Sequence, residues 1–257
     1  MPTQSNPPEL IISLSRDKVR LHLLERPDTG RVHWESEFPV YNTFLEDQIS
    51  LALDAALLQN PSLIDHFDNV EVVVIDRPNI CIPQYYMRNG MWQGIAGKYL
   101  RLRAGDTLTT DSTSTDTVIA YSMPTDTIRV LREYYAKVGQ VHLTSVLWTA
   151  IVKQENIIST DSAGLFFYVS GNTLVVIGES AGKLTFSKNF HIQEPGDLAY
   201  YAIACSRLLK PKENWIVMVG DESPMVDMPK FPRIEIHRQL RLPALHTLIA
   251  SHRSCES

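Results

Sequence analysis

The sequence predicts an α/β protein in which one β-β-β-α-β unit occurs twice, each copy forming a lobe, with a cleft between the lobes. Three observations carry this expectation. Two segments alternate polar and apolar residues with the strand period of two, and their matching positions stand 152 residues apart. Each of these segments follows a hairpin whose first strand is a continuous apolar run. Each precedes a helical stretch that leads into another apolar strand.

The elements follow in order. "LIISLS" at 10–15 and "LFFYV" at 165–169 are apolar runs of the kind found in strands covered on both faces. Beyond the turns "SRDK" and "SGNT", second strands are expected at 19–24 and 174–177. The third strands are the alternating segments. Val32, Trp34, Ser36 and Phe38 share one face in the first, and Leu184, Phe186, Lys188 and Phe190 share one in the second. A helix is expected from Thr43, where Glu46 completes a capping box, with Leu45, Ile49, Ala52, Leu53 and Ala56 on one face until Asn60-Pro61. Its counterpart starts near Asp197, an anion suited to a helix N-terminus, and stops before Pro211.

Apolar strands follow at 70–75 and 215–219, with further strands expected at 117–121 and 233–236. Right-handed crossovers then predict the strand order 3-2-1-4-5 in each lobe. The division is expected after residue 122, giving a first lobe of 1–122 and a second of 123–257 that ends in a helix. The hydroxyl-rich stretch "TLTTDSTSTDT", 107–117, reads as a mobile loop.

Composition narrows the partners. The net charge is -5 and no dense Lys/Arg run occurs, which argues against nucleic acid. No uncharged apolar stretch has the length of a membrane span. Cys81, Cys205 and Cys255 are odd in number, far apart and without zinc spacing, and no histidine pair stands at i,i+4, so no metal site is expected. The opening residues "MPTQSNPPEL" lack a secretory pattern, and a cytoplasmic protein is expected.

One motif points elsewhere. Gly178-Glu179-Ser180-Ala181-Gly182 matches the G-x-S-x-G elbow of serine hydrolases, with Asp221 and His246 downstream in a permissible order. An elbow needs a helix directly after its serine, and the period-two segment from Lys183 reads as a strand. Ser180 is therefore expected in a strand connection, and the hydrolase is the weakest of three functional expectations.

Twice-repeated antiparallel strands with a crossover helix and parallel strands resemble the actin-like ATPase fold, within the ribonuclease-H-like class. The passage "TIRVLREYYAKVGQVHLTSVLWTAIV" resembles the join between halves in pilus-assembly and cell-division members of that superfamily. More narrowly, "CIPQYYM", "KLTFSKNF", "GDLAYYAIACSRL" and "VMVGD" resemble an uncharacterised bacterial family, a domain of unknown function assigned an actin-like fold. Asn189, Phe190, Asp197 and Tyr200 lie within those motifs. The broader resemblance extends to the cytoplasmic actin-like proteins of type II secretion.

The resemblance implies ATP with magnesium, and the residues can be tested against it. Where the first hairpin of the ATPases carries an Asp and small turn residues, this chain has Ser13, Ser15 and Arg16. In the second hairpin Tyr168 stands for the Asp and Ser170 for the first Gly, while Gly171 and Thr173 remain and Asn172 lies between them. At the adenosine turn Gly220 is kept, and Asp221 replaces its glycine partner. Gly171-Asn172 also fits a plain hairpin turn. Two metal-positioning carboxylates are thus missing, so no catalytic residue, cofactor or metal is expected. Ser13, Ser15, Arg16, Gly171, Asn172, Thr173, Gly220 and Asp221 remain weak cleft candidates. The leading expectation is a non-catalytic actin-like scaffold or adaptor with a protein partner. A nucleotide-binding ATPase or kinase of the same fold is the alternative.

Overall fold

The computed structural model describes residues 9–26, 31–41, 48–64, 67, 70–113, 115–153, 163–170, 172–209, 216–220, 238–242 and 245–253. Strands β1 (Glu9–Leu14), β2 (Lys18–Arg26) and β3 (Arg31–Pro39) form an antiparallel meander. Helix α1 (Ile49–Gln59) follows, and β4 (Val70–Val74) returns parallel to β1. An insertion then comprises β5 (Asn79–Pro83), α2 (Gln84–Arg88), α3 (Trp92–Leu100), β6 (Asp106–Ser112) and β7 (Thr117–Pro124). After it, α4 (Thr125–Tyr134) leads to β8 (Val138–His142), which pairs parallel with β4. Helix α5 (Leu143–Val152) crosses to the second meander, β9 (Ala163–Ser170), β10 (Thr173–Ser180) and β11 (Lys183–His191). Then come α6 (Pro195–Leu209), β12 (Ile216–Gly220), β13 (Arg238–Arg241) and α7 (Leu245–Arg253).

The two five-stranded sheets run β3-β2-β1-β4-β8 and β11-β10-β9-β12-β13. Both therefore have the expected order 3-2-1-4-5. Three details differ from expectation. The strand foreseen at 117–121 exists as β7, but it sits in a separate sheet of order β5-β7-β6. The fifth strand of the first sheet is instead β8, from the far side of residue 122. The stretch 107–117 is no loop: most of it is β6, paired antiparallel with β7. Threonine favours strands, and β6 carries three of them, with Asp111 as its buried residue. The capping residues Thr43 and Glu46 and the strand expected at 233–236 lie outside the described residues.

Burial explains why the apolar runs are continuous. Leu10, Ile11, Ile12 and Leu14 are all buried, as are both faces of β9 and β10. Phe166, Tyr168, Val175 and Ile177 face a core shared with the first sheet, Trp148 of α5, and Leu245, Leu248 and Ile249 of α7. Alternate residues Leu165, Phe167, Leu174 and Val176 turn the other way onto Leu198, Ala202 and Cys205 of α6. Each such side chain stabilises the fold by about 1.5–3 kcal/mol. Trp148 is fully buried where this core joins the lobes. The inserted sheet has a small core of its own, Ile82, Ala96, Leu100 and Ala120, and lays β5 and β7 against β11.

Candidate functional site

The crevice of an open parallel sheet forms beyond the C-terminal ends of its strands. Here β1 ends in a turn that Ser15 ties together. Its hydroxyl lies 2.6 Å from Asp17 Oδ1 and accepts from Lys18 N at 3.2 Å, and its amide donates to Lys18 O at 2.9 Å. The end of β4 lies alongside, where Asp76 Oδ2 accepts from Arg16 N at 2.7 Å. The start of β10 closes the third side.

The result is a cavity of about 10 Å³ lined by Ser13, Ser15, Asp17, Lys18, Arg20, Ile75 and Thr173. Of the expected cleft residues, Ser13, Ser15 and Thr173 meet there, and Arg16 stands at the edge through Asp76. Asn172 is exposed, and its carbonyl accepts from Ile192 N at 2.7 Å. Gly220 ends β12, paired with Val169 and Arg241. Gly171 and Asp221 lie outside the described residues.

The volume decides what this cavity can hold. About 10 Å³ admits one water, whereas small-molecule sites run to several hundred. Ser13 Oγ is buried without a protein partner and is the polar group such a water would serve. Lys18 and Arg20 do not offer open charge, since both pair with Glu37, at 3.3 and 2.7 Å. Tyr168, at the position of the second missing carboxylate, is buried in the shared core. Among the described residues no group of three His, Cys, Asp or Glu is placed to hold a metal. Neither position 13 nor position 168 offers a carboxylate to a metal.

Sequence reasoning missed three carboxylates. Asp76 follows the apolar run of β4, and an acid directly after a parallel strand was the available signal. Burial pushes its carboxyl up to about 6; the Asp17 charge adds to this, and the Arg16 amide opposes it. Asp17 was read only as a turn residue. Asp111, inside the supposed loop, is buried: it accepts from His142 N and Ser145 Oγ at 2.6 Å each, and from Tyr121 OH at 3.0 Å.

His142 in turn caps α5. Its Nδ1 accepts from Thr144 N at 3.1 Å, which leaves Nε2 to donate to Arg77 O at 3.0 Å. Burial holds its imidazole down at about 4, so it is neutral at ordinary pH. The polar chain continues into the second lobe. Thr144 Oγ1 meets Ser187 Oγ at 2.7 Å, and Asn189 Nδ2 donates toward Ile75 O at 3.2 Å and Arg77 O at 2.9 Å. Asn189 of the "KNF" motif is thus a tie between lobes. Phe190 stacks on Tyr201 at 4.0 Å between ring centroids, and Tyr200 is exposed. Asp197 Oδ2 accepts from Gln193 N and Glu194 N at 2.8 and 3.2 Å, which lowers its pKa.

Ser180 ends β10 opposite Lys183, and Ala181-Gly182 form the two-residue turn into β11. No helix follows the serine, and no described hydrogen bond joins it to a histidine. Among the described residues the helix that a nucleophile elbow requires after Ser180 is absent.

The fold matches solved structures over nearly the whole chain. A Bacteroides thetaiotaomicron VPI-5482 protein described as having an actin-like ATPase fold and unknown function superposes with a TM-score of 0.76 at 14% identity, covering 98% of this chain and 97% of that one. The cytoplasmic domain of EpsL, an inner membrane component of the Vibrio cholerae type II secretion system, gives 0.56 at 12% identity, covering 97% and 95%. The inorganic polyphosphate/ATP-glucomannokinase of Arthrobacter sp. strain KM gives 0.50 at 11%, covering 98% and 99%. At such identities the likeness establishes the fold, an actin-like ATPase fold, and nothing of activity. No curated protein matches the sequence. Among the described residues no helix is long and apolar enough to cross a membrane. The match of residues 1–225 to the family described as "Protein of unknown function (DUF3822)" completes the assignment, and the chain belongs to that family.

Proposed function

We propose that the chain is a non-catalytic actin-like scaffold or adaptor that works through a protein partner in the cytoplasm. One observation supports this reading: Ser13 and Tyr168 stand where ATPases of this fold carry carboxylates, and the described residues around Ser13 enclose only about 10 Å³. Phosphoryl transfer needs aligned charge and a held metal, and the surviving groups supply neither. The similarity to a secretion-system component supports an assembly role at the level of fold alone. The lobes divide, on this reading, nearer residue 142 than 122, because β8 completes the first sheet. Thermal melting with millimolar magnesium-ATP tests the proposal, with no shift expected. A ligand at a hundredfold its Kd would add about 2.7 kcal/mol, and a clear rise in Tm that Gly171→Val abolishes would overturn it.

The second reading, a nucleotide-dependent kinase-like protein, has one observation in its favour. Asp76 sits at the crevice with its pKa raised to about 6, a value suited to a general base. That reading requires the crevice to open, and turnover of ATP lost in Asp76→Asn would establish it.

A further inference from the structure

Helix α6 buries one side and leaves the other bare. Leu198, Ala202 and Cys205 pack onto the second meander. On the opposite side Gly196, Tyr200, Ala204 and Leu208 follow one another at intervals of four, which sets them in one row along the helix. All four are exposed, Tyr200 at 68% and Leu208 at 73%. The ring of Tyr200 meets that of Tyr201 edge-on at 5.3 Å, and Tyr201 stacks on Phe190 at 4.0 Å. A lone exposed apolar side chain needs no explanation, but an aromatic held in place within an apolar row does.

The row is complementary to itself. Turned end for end about Ala202, it sets Tyr200 against Ala204 and Leu208 against Gly196, so that each large side chain faces a small one. A Cβ at Gly196 would meet no atom within 4 Å, so that place is open. The same rotation sets Asp197 against Arg207, which stand beside the two ends of the row. Asp197 engages Oδ2 with the amides of Gln193 and Glu194, bonds that hold the carboxylate ionised. Arg207 is exposed and has no hydrogen-bond or ion-pair partner among the described residues.

We propose that this face of α6 pairs with the same face of a second copy of the chain, antiparallel, about a two-fold axis that passes at Ala202. In such an isologous contact every pairing occurs twice: Tyr200 on Ala204, Leu208 on Gly196, and Asp197 with Arg207. Charge selects this occupant. One anion and one cation at opposite ends match an identical helix reversed, whereas a lipid surface calls for cations along the flanks. Helix α1 also exposes Leu51 and Leu58, but it holds one carboxylate and no cation, so it does not reproduce the pairing. The contact is one helix long, smaller than most permanent interfaces, and the dimer should form at roughly 10 µM and above. It extends the scaffold reading without using the crevice, so the failure of either leaves the other standing.

The test is sedimentation equilibrium of the full chain from about 1 to 300 µM. The mass should rise with concentration from one chain to two and stop there. Ala204→Arg places a long side chain where the partner's Tyr200 would lie. It should leave the melting temperature unchanged, since Ala204 is exposed, yet abolish the dimer. Arg207→Glu sets two carboxylates together at both ends of the pair and should weaken association at least about tenfold. Leu51→Glu, on α1, should change nothing. A monomer at every concentration would overturn the proposal, as would a dimer indifferent to Ala204→Arg or to Arg207→Glu. A mass that grows beyond two copies and falls with Leu51→Glu would overturn it too, because it means an open chain in place of a closed pair.

Discussion

The two lobes share one frame and differ in what hangs on it. In the first, five elements intervene between β4 and α4, whereas in the second only residues 221–237 separate β12 from β13. The inserted sheet lays β5 and β7 against β11 of the second meander. Buried polar residues gather at the same junction, with Asn79, Asp111, Thr117, His142, Thr144, Ser145 and Ser187 all inside. The second lobe, by contrast, is held mainly by the two apolar faces of β9 and β10. A repeated frame therefore records how the chain folds, and the insertion records what distinguishes it. Predictions that separate these two kinds of residue test the comparison.

The largest effect belongs to the residue that both lobes share. Trp148→Ala should destabilise by about 3–5 kcal/mol in urea unfolding, and the loss should appear equally in probes of either lobe. Two separate transitions, only one of them shifted, would mean that the lobes are independent. Asp111→Ala follows. It leaves the amide of His142 and the hydroxyls of Ser145 and Tyr121 without their acceptor, and about 3 kcal/mol should be lost. Were 107–117 a loop, the same change would cost almost nothing.

Asp76 sharpens the comparison through pH. Its folded pKa, about 6, stands above the ordinary 3.8, so its favourable contribution is full below 3.8 and is lost as pH rises through 6. His142 has the opposite sign. Its folded pKa, about 4, lies below 6.5, so the stability it confers is present above 6.5 and fades as pH falls toward 4. Between pH 4 and 6 the two oppose one another, and the native protein should show a shallow profile. Asp76→Asn should gain about 2 kcal/mol at pH 7, after discounting for partial exposure, and almost nothing at pH 4. Its profile should then fall more steeply on acidification, with His142 unopposed. An unchanged profile would remove Asp76 from the buried groups and weaken the kinase-like reading with it.

The frame was legible because hydrophobic period is a local signal. Val32 to Phe38 and Leu184 to Phe190 reveal strands by alternation alone, and "LFFYV" predicts the two-sided burial that Leu165 and Phe166 show. What escaped was non-local. Nothing near Asp111 announces that His142, Ser145 and Tyr121 will surround it, and a run of threonines looks the same in a loop as in β6. Asp76 was visible as an acid after a strand, but its burial depends on a hairpin 60 residues earlier in the chain. The fifth strand of the first sheet was misplaced for the same reason. "VIAY" at 118–121 is the more apolar run, yet "VGQVH" at 138–142 reaches β4.

The smallest effect concerns the hairpin that imitates an esterase. Ala181 and Gly182 both have positive φ, 52 and 77, as a two-residue turn between antiparallel strands requires. Gly182 accepts that conformation freely, and its amide donates to Glu179 Oε1. Ala181 does not, because its Cβ crowds the following carbonyl at a cost of about 1 kcal/mol. Asparagine tolerates the left-handed region, so Ala181→Asn should stabilise the protein by roughly 0.5–1 kcal/mol in urea titration. The change leaves G-x-S-x-G formally intact, so no motif distinguishes the two proteins. In a nucleophile elbow this position begins a helix, where asparagine is less favourable than alanine and stability would fall. A gain therefore identifies Ser180 as the last residue of a strand before a tight turn, and a loss would reopen the search for its histidine.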